Sequence, residues 1–188
     1  FADWAATTAQ PIAGGYVTAP GVFSADAVDP ASRLLADSLP QALGAHVVDL
    51  GAGWGYLSAR ALERTGITRL DLVEADHAAL ACARQNVTDA RAQFHWADAT
   101  VWKPDARADS VIMNPPFHES RSADPDLGRA FIRAAAGMLK PSGSLWMVAN
   151  RHLPYETTLA QSFTSVSEVA GDTRFKILHA SRPVRQSR

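Results

Sequence analysis

The strongest constraint on this chain's fold is a recurring order of short apolar runs and helix-like stretches. HVVDL (46–50), RLDLVEA (69–75), AQFHW (92–96), SVIMN (110–114) and SLWMVAN (144–150) read as short strands, most of them buried. Asp29 followed by Pro30 is an N-cap with proline at the first helical position, opening a helix through about Leu39. YLSARALERTG is a helix stopped by Gly66, and DHAALACARQNV is a helix capped by Asp76. DPDLGRAFIRAAAGMLKPSG holds a helix that must end before Pro141. PYETTLAQSF is a short helix, and SVSEVAG and RFKILHAS are two closing strands. Such alternation calls for a mostly parallel α/β sheet with helices on both faces. On sheets of this kind, ligands bind beyond the carboxyl ends of the strands.

The 188 residues suffice for one domain with a sizeable core. Residues 1–27, rich in Gly, Pro and small side chains, read as an irregular lead-in, and 28–188 as the α/β domain. A net charge of −1 gives no whole-chain electrostatic case for nucleic-acid binding, so any such contact must be local. Cys82 is the single cysteine, which excludes an internal disulfide and a Cys-rich zinc site and suits the cytoplasm. It reads as a small buried residue. No apolar run approaches the roughly 18 residues of a membrane span, and the start is not a signal peptide. The chain lacks an initiator Met, and more sequence is expected upstream of Phe1.

The unusual residues fall at strand ends. Asp49 to Gly55, DLGAGWG, lets the backbone turn tightly and approach a ligand. It departs from the dinucleotide fingerprint, since the third glycine comes one residue early, at Gly55, and Tyr56 takes the sixth position. Glu74 ends the second strand about 20 residues after the glycines, where a carboxylate can accept from both ribose hydroxyls of a nucleoside. Asp98, after the third strand, can accept from an exocyclic adenine amine. Each residue alone has an ordinary structural reading, as a turn, a cap or a surface carboxylate; together they mark one ligand site.

This combination resembles the class I S-adenosylmethionine-dependent methyltransferases. Asp49-Leu50-Gly51-Ala52-Gly53 matches the family's first motif, and Glu74 and Asp98 match its second-strand and third-strand acids. The resemblance runs from Gly21 onward. It implies a Rossmann-like, mostly parallel seven-stranded sheet whose last strand is antiparallel. It also implies S-adenosylmethionine as cofactor, held by Asp49, Gly51, Gly53, Glu74, Asp98 and Asn114, with the Gly51–Gly53 backbone against the methionine moiety.

Asn114-Pro115-Pro116-Phe117 matches the N/D-P-P-Y/F motif of methyltransferases that act on planar amino groups. An sp² nitrogen delocalises its lone pair and is a poor nucleophile. The Asn114 side-chain oxygen and the Pro115 carbonyl can both accept from such an NH₂, aim it at a methyl donor and stabilise its developing positive charge. The prolines fix that carbonyl and add no competing N–H. Phe117 offers a face for stacking. His118 reads as a solvent-facing or substrate-contacting residue rather than a base. Trp54, Trp96, Trp102 and Trp146 are expected in the core or at its rim.

The flanking segments PGVFSADAVDPASRLL, VANRHLPYETTL and GDTRFKILHAS resemble the C-terminal domain of the ribosomal RNA small subunit methyltransferase C family. That resemblance implies transfer to the exocyclic amine of a guanine in 16S rRNA, with the rRNA or the 30S subunit as partner and no metal. It places Asn114, Pro115 and Phe117 in the target pocket. It also implies a second, N-terminal domain, so the chain is expected to be the C-terminal domain of a longer protein. Phe23 and Ser24 of GVFS are expected either to line the site or, for Phe23, to plug the core. Arg174 and Lys176, near a turn by the closing strands, are candidates for phosphate contact. The alternatives are transfer to an adenine amine or a protein glutamine amide, and a non-catalytic cofactor-binding module serving ribosome assembly. A nicotinamide-dependent dehydrogenase is disfavoured by Tyr56 and the N-P-P-F motif.

Overall fold

Strand β3 (His46–Leu50) buries all five of its residues and sits near the middle of the main sheet. The computed structural model of the chain describes residues 9–116 and 125–185. The other elements are β1 (Gln10–Pro11), β2 (Val17–Thr18), α1 (Pro30–Ser38), α2 (Tyr56–Leu62), β4 (Arg69–Glu74), α3 (His77–Asn86), β5 (Ala92–Trp96) and β6 (Ala108–Met113). The chain continues through α4 (Pro125–Met138), β7 (Leu139–Asn150), α5 (Glu156–Ser162), β8 (Phe163–Gly171) and β9 (Phe175–Pro183). The seven-stranded sheet has the order β5-β4-β3-β6-β7-β9-β8. Pairs among β3 to β7 are parallel, and β9 runs antiparallel to both of its neighbours, as the sequence led us to expect.

The apolar residues divide with the strand period of two. Val47, Leu70, Leu72 and Ile112 face one layer, where α1, α2 and α3 bring Leu35, Leu57 and Ala83. Val48, Val73, Val111 and Met113 face the other, against Phe131 and Ile132 of α4 and Leu159 of α5. Among the described residues no helix is long and apolar enough to cross a membrane.

Three local expectations need correction. The lead-in contains a two-stranded ribbon, β1–β2, where an irregular segment was expected. The Asn86 side chain accepts from the Val17 amide at 2.8 Å and donates to the Val17 carbonyl at 2.8 Å and the Trp54 carbonyl at 2.7 Å, tying the ribbon to the glycine turn. Helix α2 stops at Leu62, before Gly66. Strand β7 begins at Leu139 rather than near Ser144. Ala108 pairs with Leu139 and Ser110 with Ser144, so Pro141 stands in the bulge between them, where its missing N–H costs no ladder bond.

Candidate active site

The carboxyl ends of β5, β4, β3 and β6 lie side by side. Leu50 pairs with Val73 and Met113, and Glu74 pairs with Trp96. Of the residues just beyond them, Gly51 and Asn114 border one cleft, while Ala75 and Ala97 follow the neighbouring strands. The Gly51 and Ala52 amides both donate to the Val73 carbonyl, at 2.9 and 3.0 Å, which folds the turn back over β4. Gly51, Gly53 and Gly55 all have positive φ, at 71°, 55° and 92°. That conformation explains three glycines in five residues.

Glu74 anchors this turn. One carboxylate oxygen accepts from the Gly53 amide at 2.8 Å and the other from the Asp76 amide at 2.7 Å. Asp49 lies beneath the turn, fully buried. Its Oδ2 accepts from the Ser58 hydroxyl at 2.6 Å, while Oδ1 has no partner among the described residues. Burial pushes the Asp49 carboxyl up to about 7, opposed by the Ser58 hydrogen bond. Asp98 is exposed, and its Oδ1 accepts from both the Thr100 hydroxyl and the Thr100 amide. The hydroxyl bond and then the amide bond hold its carboxyl below the usual carboxylate range.

Asn114 leaves β6 toward α1. Its Nδ2 donates to Asp29 Oδ2 at 2.9 Å and to the Ser32 hydroxyl at 2.8 Å. Its Oδ1 is buried with no partner among the described residues. A carboxylate only accepts, so Asp29 fixes which end of the amide faces it and leaves the oxygen pointing elsewhere. Pro115 is buried and Pro116 exposed. Phe117 and His118 lie outside the described residues, as does Trp4.

Phe23, Ser24, Gly51, Gly53 and Asn114 line one cleft, together with Asp29 and Ser32. Phe23 is 62% exposed, which rules out a core plug and leaves its ring free at the rim. Its carbonyl accepts from the buried Trp54 indole at 3.2 Å. Ser24 holds a left-handed backbone, φ 54°, and its hydroxyl donates to the Ala27 carbonyl at 2.7 Å. A non-glycine residue in that conformation costs roughly 1 kcal/mol and marks a constrained loop.

Two expectations fail in this region. The Lys176 side chain is 5% exposed, and its ammonium is committed to the Leu153 carbonyl and Glu156, so it does not face an incoming phosphate. Arg174 is exposed, with its guanidinium over the Phe175 ring at 4.8 Å. Trp96 is 67% exposed, because β5 is an edge strand; its indole donates to the Ala75 carbonyl at 2.9 Å. Cys82 is buried, and burial raises its thiol. Among the described residues no group of three or more His, Cys, Asp or Glu side chains could hold a metal ion. Asp29 and Ser32 were missed as site residues, although Asp29 was visible as a helix cap.

These residues suit a nucleoside carrying a cation. The space in front of Gly53 is open, Asp49 has a buried unpartnered oxygen beneath the turn, and Glu74 and Asp98 place carboxylates at the end of β4 and just beyond β5. The chain matches the family model described as methyltransferase small domain over residues 14–179. A ribosomal RNA large subunit methyltransferase G of Alcanivorax borkumensis is 35% identical over 169 residues, covering 87% of this chain and 43% of that protein. A ribosomal RNA small subunit methyltransferase C of Hahella chejuensis is 34% identical over 171 residues, 88% of this chain and 48% of that protein. The chain thus spans less than half the length of both. Among solved structures, a 16S rRNA N2 methyltransferase of T. thermophilus in complex with AdoMet and guanosine matches with a TM-score of 0.76 and 31% identity, over 93% of this chain and 49% of that one.

Proposed function

We propose, because this chain belongs to the methyltransferase small domain family, that it transfers a methyl group from S-adenosylmethionine to the exocyclic amine of a guanine in 16S ribosomal RNA. The observation that carries this reading is the Asn114 amide, whose nitrogen is bound by Asp29 and Ser32 while its buried oxygen stays unpartnered. A buried acceptor left unsatisfied costs roughly 1–3 kcal/mol, and a planar NH₂ donor satisfies it.

Asp49, Gly51, Gly53, Glu74 and Asp98 would hold the cofactor. When bound, S-adenosylmethionine supplies an electrophilic methyl group on a sulfonium. The chain's own part is orientation. Asn114 Oδ1 and the Pro115 carbonyl accept from the amine and fix the direction of its nitrogen. Both carry partial negative charge, so they stabilise the nitrogen as it becomes positive. The amine grows more acidic at the same time, so its proton can pass to water without a strong base. Phe23, exposed at the rim, and Phe117 offer faces to the flat base. The target guanine must be unstacked or already single-stranded to enter.

A large-subunit target is the second reading, since relatives of similar identity are named for either subunit. The test is transfer of labelled methyl to 16S rRNA, 30S subunits and 23S rRNA, followed by nucleoside analysis. We expect N2-methylguanosine in the small-subunit samples and no incorporation with Asn114→Ala. Wild-type rates in that variant, or a methylated adenine or glutamine as product, would defeat the reading.

A further inference from the structure

We propose that a second groove, at the opposite end of the sheet, binds the phosphodiester backbone of the substrate RNA away from the methylated base. This rests on RNA being the substrate. The groove has a volume of about 670 Å³, within the range of about 300–1,000 Å³ that ligand sites occupy. Arg107, Arg133 and Arg185 line it, with Leu139, Pro141 and Val184 among its apolar walls. No carboxylate is among its described lining residues.

The ordinary role for arginines there is to offset helix ends. Helices α4 and α5 end nearby, at Met138 and Ser162. Arg107 does serve α4, donating to the Gly137 carbonyl at 3.2 Å and the Leu139 carbonyl at 2.9 Å. Two helix C-termini carry roughly half a negative charge each, about one in all. Three guanidinium groups exceed that by about two charges. Elsewhere the guanidinium groups of Arg60, Arg69, Arg91, Arg129 and Arg151 are each paired with a carboxylate. Arg133 and Arg185 have no such partner among the described residues, and both are exposed. Among the described residues Arg33, Arg84 and Arg174 also lack a carboxylate partner, but they stand singly on separate segments, the last two over aromatic rings, whereas Arg107, Arg133 and Arg185 gather in one groove.

Guanidinium groups match phosphate oxygens in pairs, and the apolar walls suit ribose or base. Strand β6 joins the two sites: Arg107 directly precedes it and Asn114 directly follows it. Its six residues span roughly 20 Å. An RNA touching both points is held at two ends of one rigid element. Phosphate neutralisation, which the whole-chain charge does not provide, would then come from this groove.

The test is fluorescence anisotropy of the full 188-residue chain with a labelled single-stranded RNA oligonucleotide across a range of salt. Arg107 is left intact because it caps α4. We expect Arg133→Glu/Arg185→Glu to weaken binding by about tenfold or more and to lower the slope of log affinity against log salt by about 1.4, two contacts at about 0.7 each. Arg133→Lys/Arg185→Lys should keep most of that slope. Thermal unfolding and cofactor affinity should match the parent in both variants. Parental RNA affinity and slope in the Glu variant would overturn the proposal, as would loss of binding to 30S subunits with unchanged binding to RNA, which would indicate a protein partner. Because this assay reads binding and the Asn114→Ala assay reads transfer, each reading can fail while the other stands.

Discussion

Asp29 Oδ2 accepts from Asn114 Nδ2 at 2.9 Å, joining residues 85 apart in sequence. The same oxygen accepts from the Ser32 amide at 2.8 Å as the N-cap of α1. One carboxylate thus starts a helix and orients the amide we assign to the target amine. Negative charge behind the amide nitrogen also polarises the group, which makes its far oxygen a better acceptor.

Replacing Asp29 with Ala removes both roles. The lost cap should cost about 1 kcal/mol of stability. The freed amide should rotate among orientations and slow transfer by about tenfold, a barrier increase of about 1.4 kcal/mol. Asp29→Asn keeps an oxygen for both donors and should recover most of the rate. Steady-state kinetics would show the loss in kcat, with KM for the cofactor near the parent value. An Asp29→Ala enzyme at full kcat would sink the positioning role.

The glycines of the turn separate by what a methyl group would meet. A Cβ at Gly55 would stand 3.0 Å from Val87 Cγ2 and 3.3 Å from the Ala83 backbone, at φ 92°. That explains the early third glycine: it lets α2 approach α3 and does not cradle a phosphate. Gly55→Ala should therefore lower the melting temperature by several degrees, through a loss on the order of 2 kcal/mol. A Cβ at Gly53 meets nothing within 4 Å. Gly53→Ala should cost about 1 kcal/mol of backbone strain and place its methyl in the cleft. Its main effect should appear in calorimetric cofactor affinity. Equal melting temperatures for the two variants would contradict this division.

The sheet was legible because burial writes itself into short apolar runs, and because the acids and glycines follow those runs directly. Contacts between distant segments were not. Asp29 is fully explained by its helix cap, so nothing local announced its second partner. Lys176 read as a free cation because its neutralising partner, Glu156, comes from another element. Trp96 read as a core or rim residue because indole is large and apolar; that β5 is an edge strand emerges only from the strand order.

Glu74 offers a sharper test than truncation. Both of its oxygens accept backbone N–H groups, from Gly53 and Asp76. Glutamine would set its own NH₂ against one of them, donor against donor. We expect Glu74→Gln to weaken cofactor binding nearly as much as Glu74→Ala, by about 10- to 100-fold, or 1.4–2.8 kcal/mol. Titration calorimetry with S-adenosylmethionine checks this. Parental affinity in the Gln variant would show that the turn does not depend on the paired acceptors.

Asp49 should make stability fall as pH rises. Burial pushes its carboxyl up to about 7 in the folded chain, against the ordinary aspartate value of about 4. The folded state therefore keeps a proton that the unfolded chain releases above about pH 4. The contribution is fully present below pH 4, declines from there to pH 7 and is gone above it, with an upper bound of about 4 kcal/mol. Asp49→Asn imitates the protonated acid and keeps an acceptor for Ser58. Relative to the parent, it should gain stability between pH 5 and pH 8 in denaturant unfolding. Subtracting the parent curve removes the carboxylates that titrate the other way, such as Asp89, which its Arg91 partner holds at about 2. A difference curve flat across that range would refute the assignment. The unpartnered Oδ1 adds a second readout, because a cation brought near it favours the ionised form. Cofactor binding near pH 6 should then release a proton from the parent and none from Asp49→Asn, seen as a dependence of binding enthalpy on buffer ionisation enthalpy.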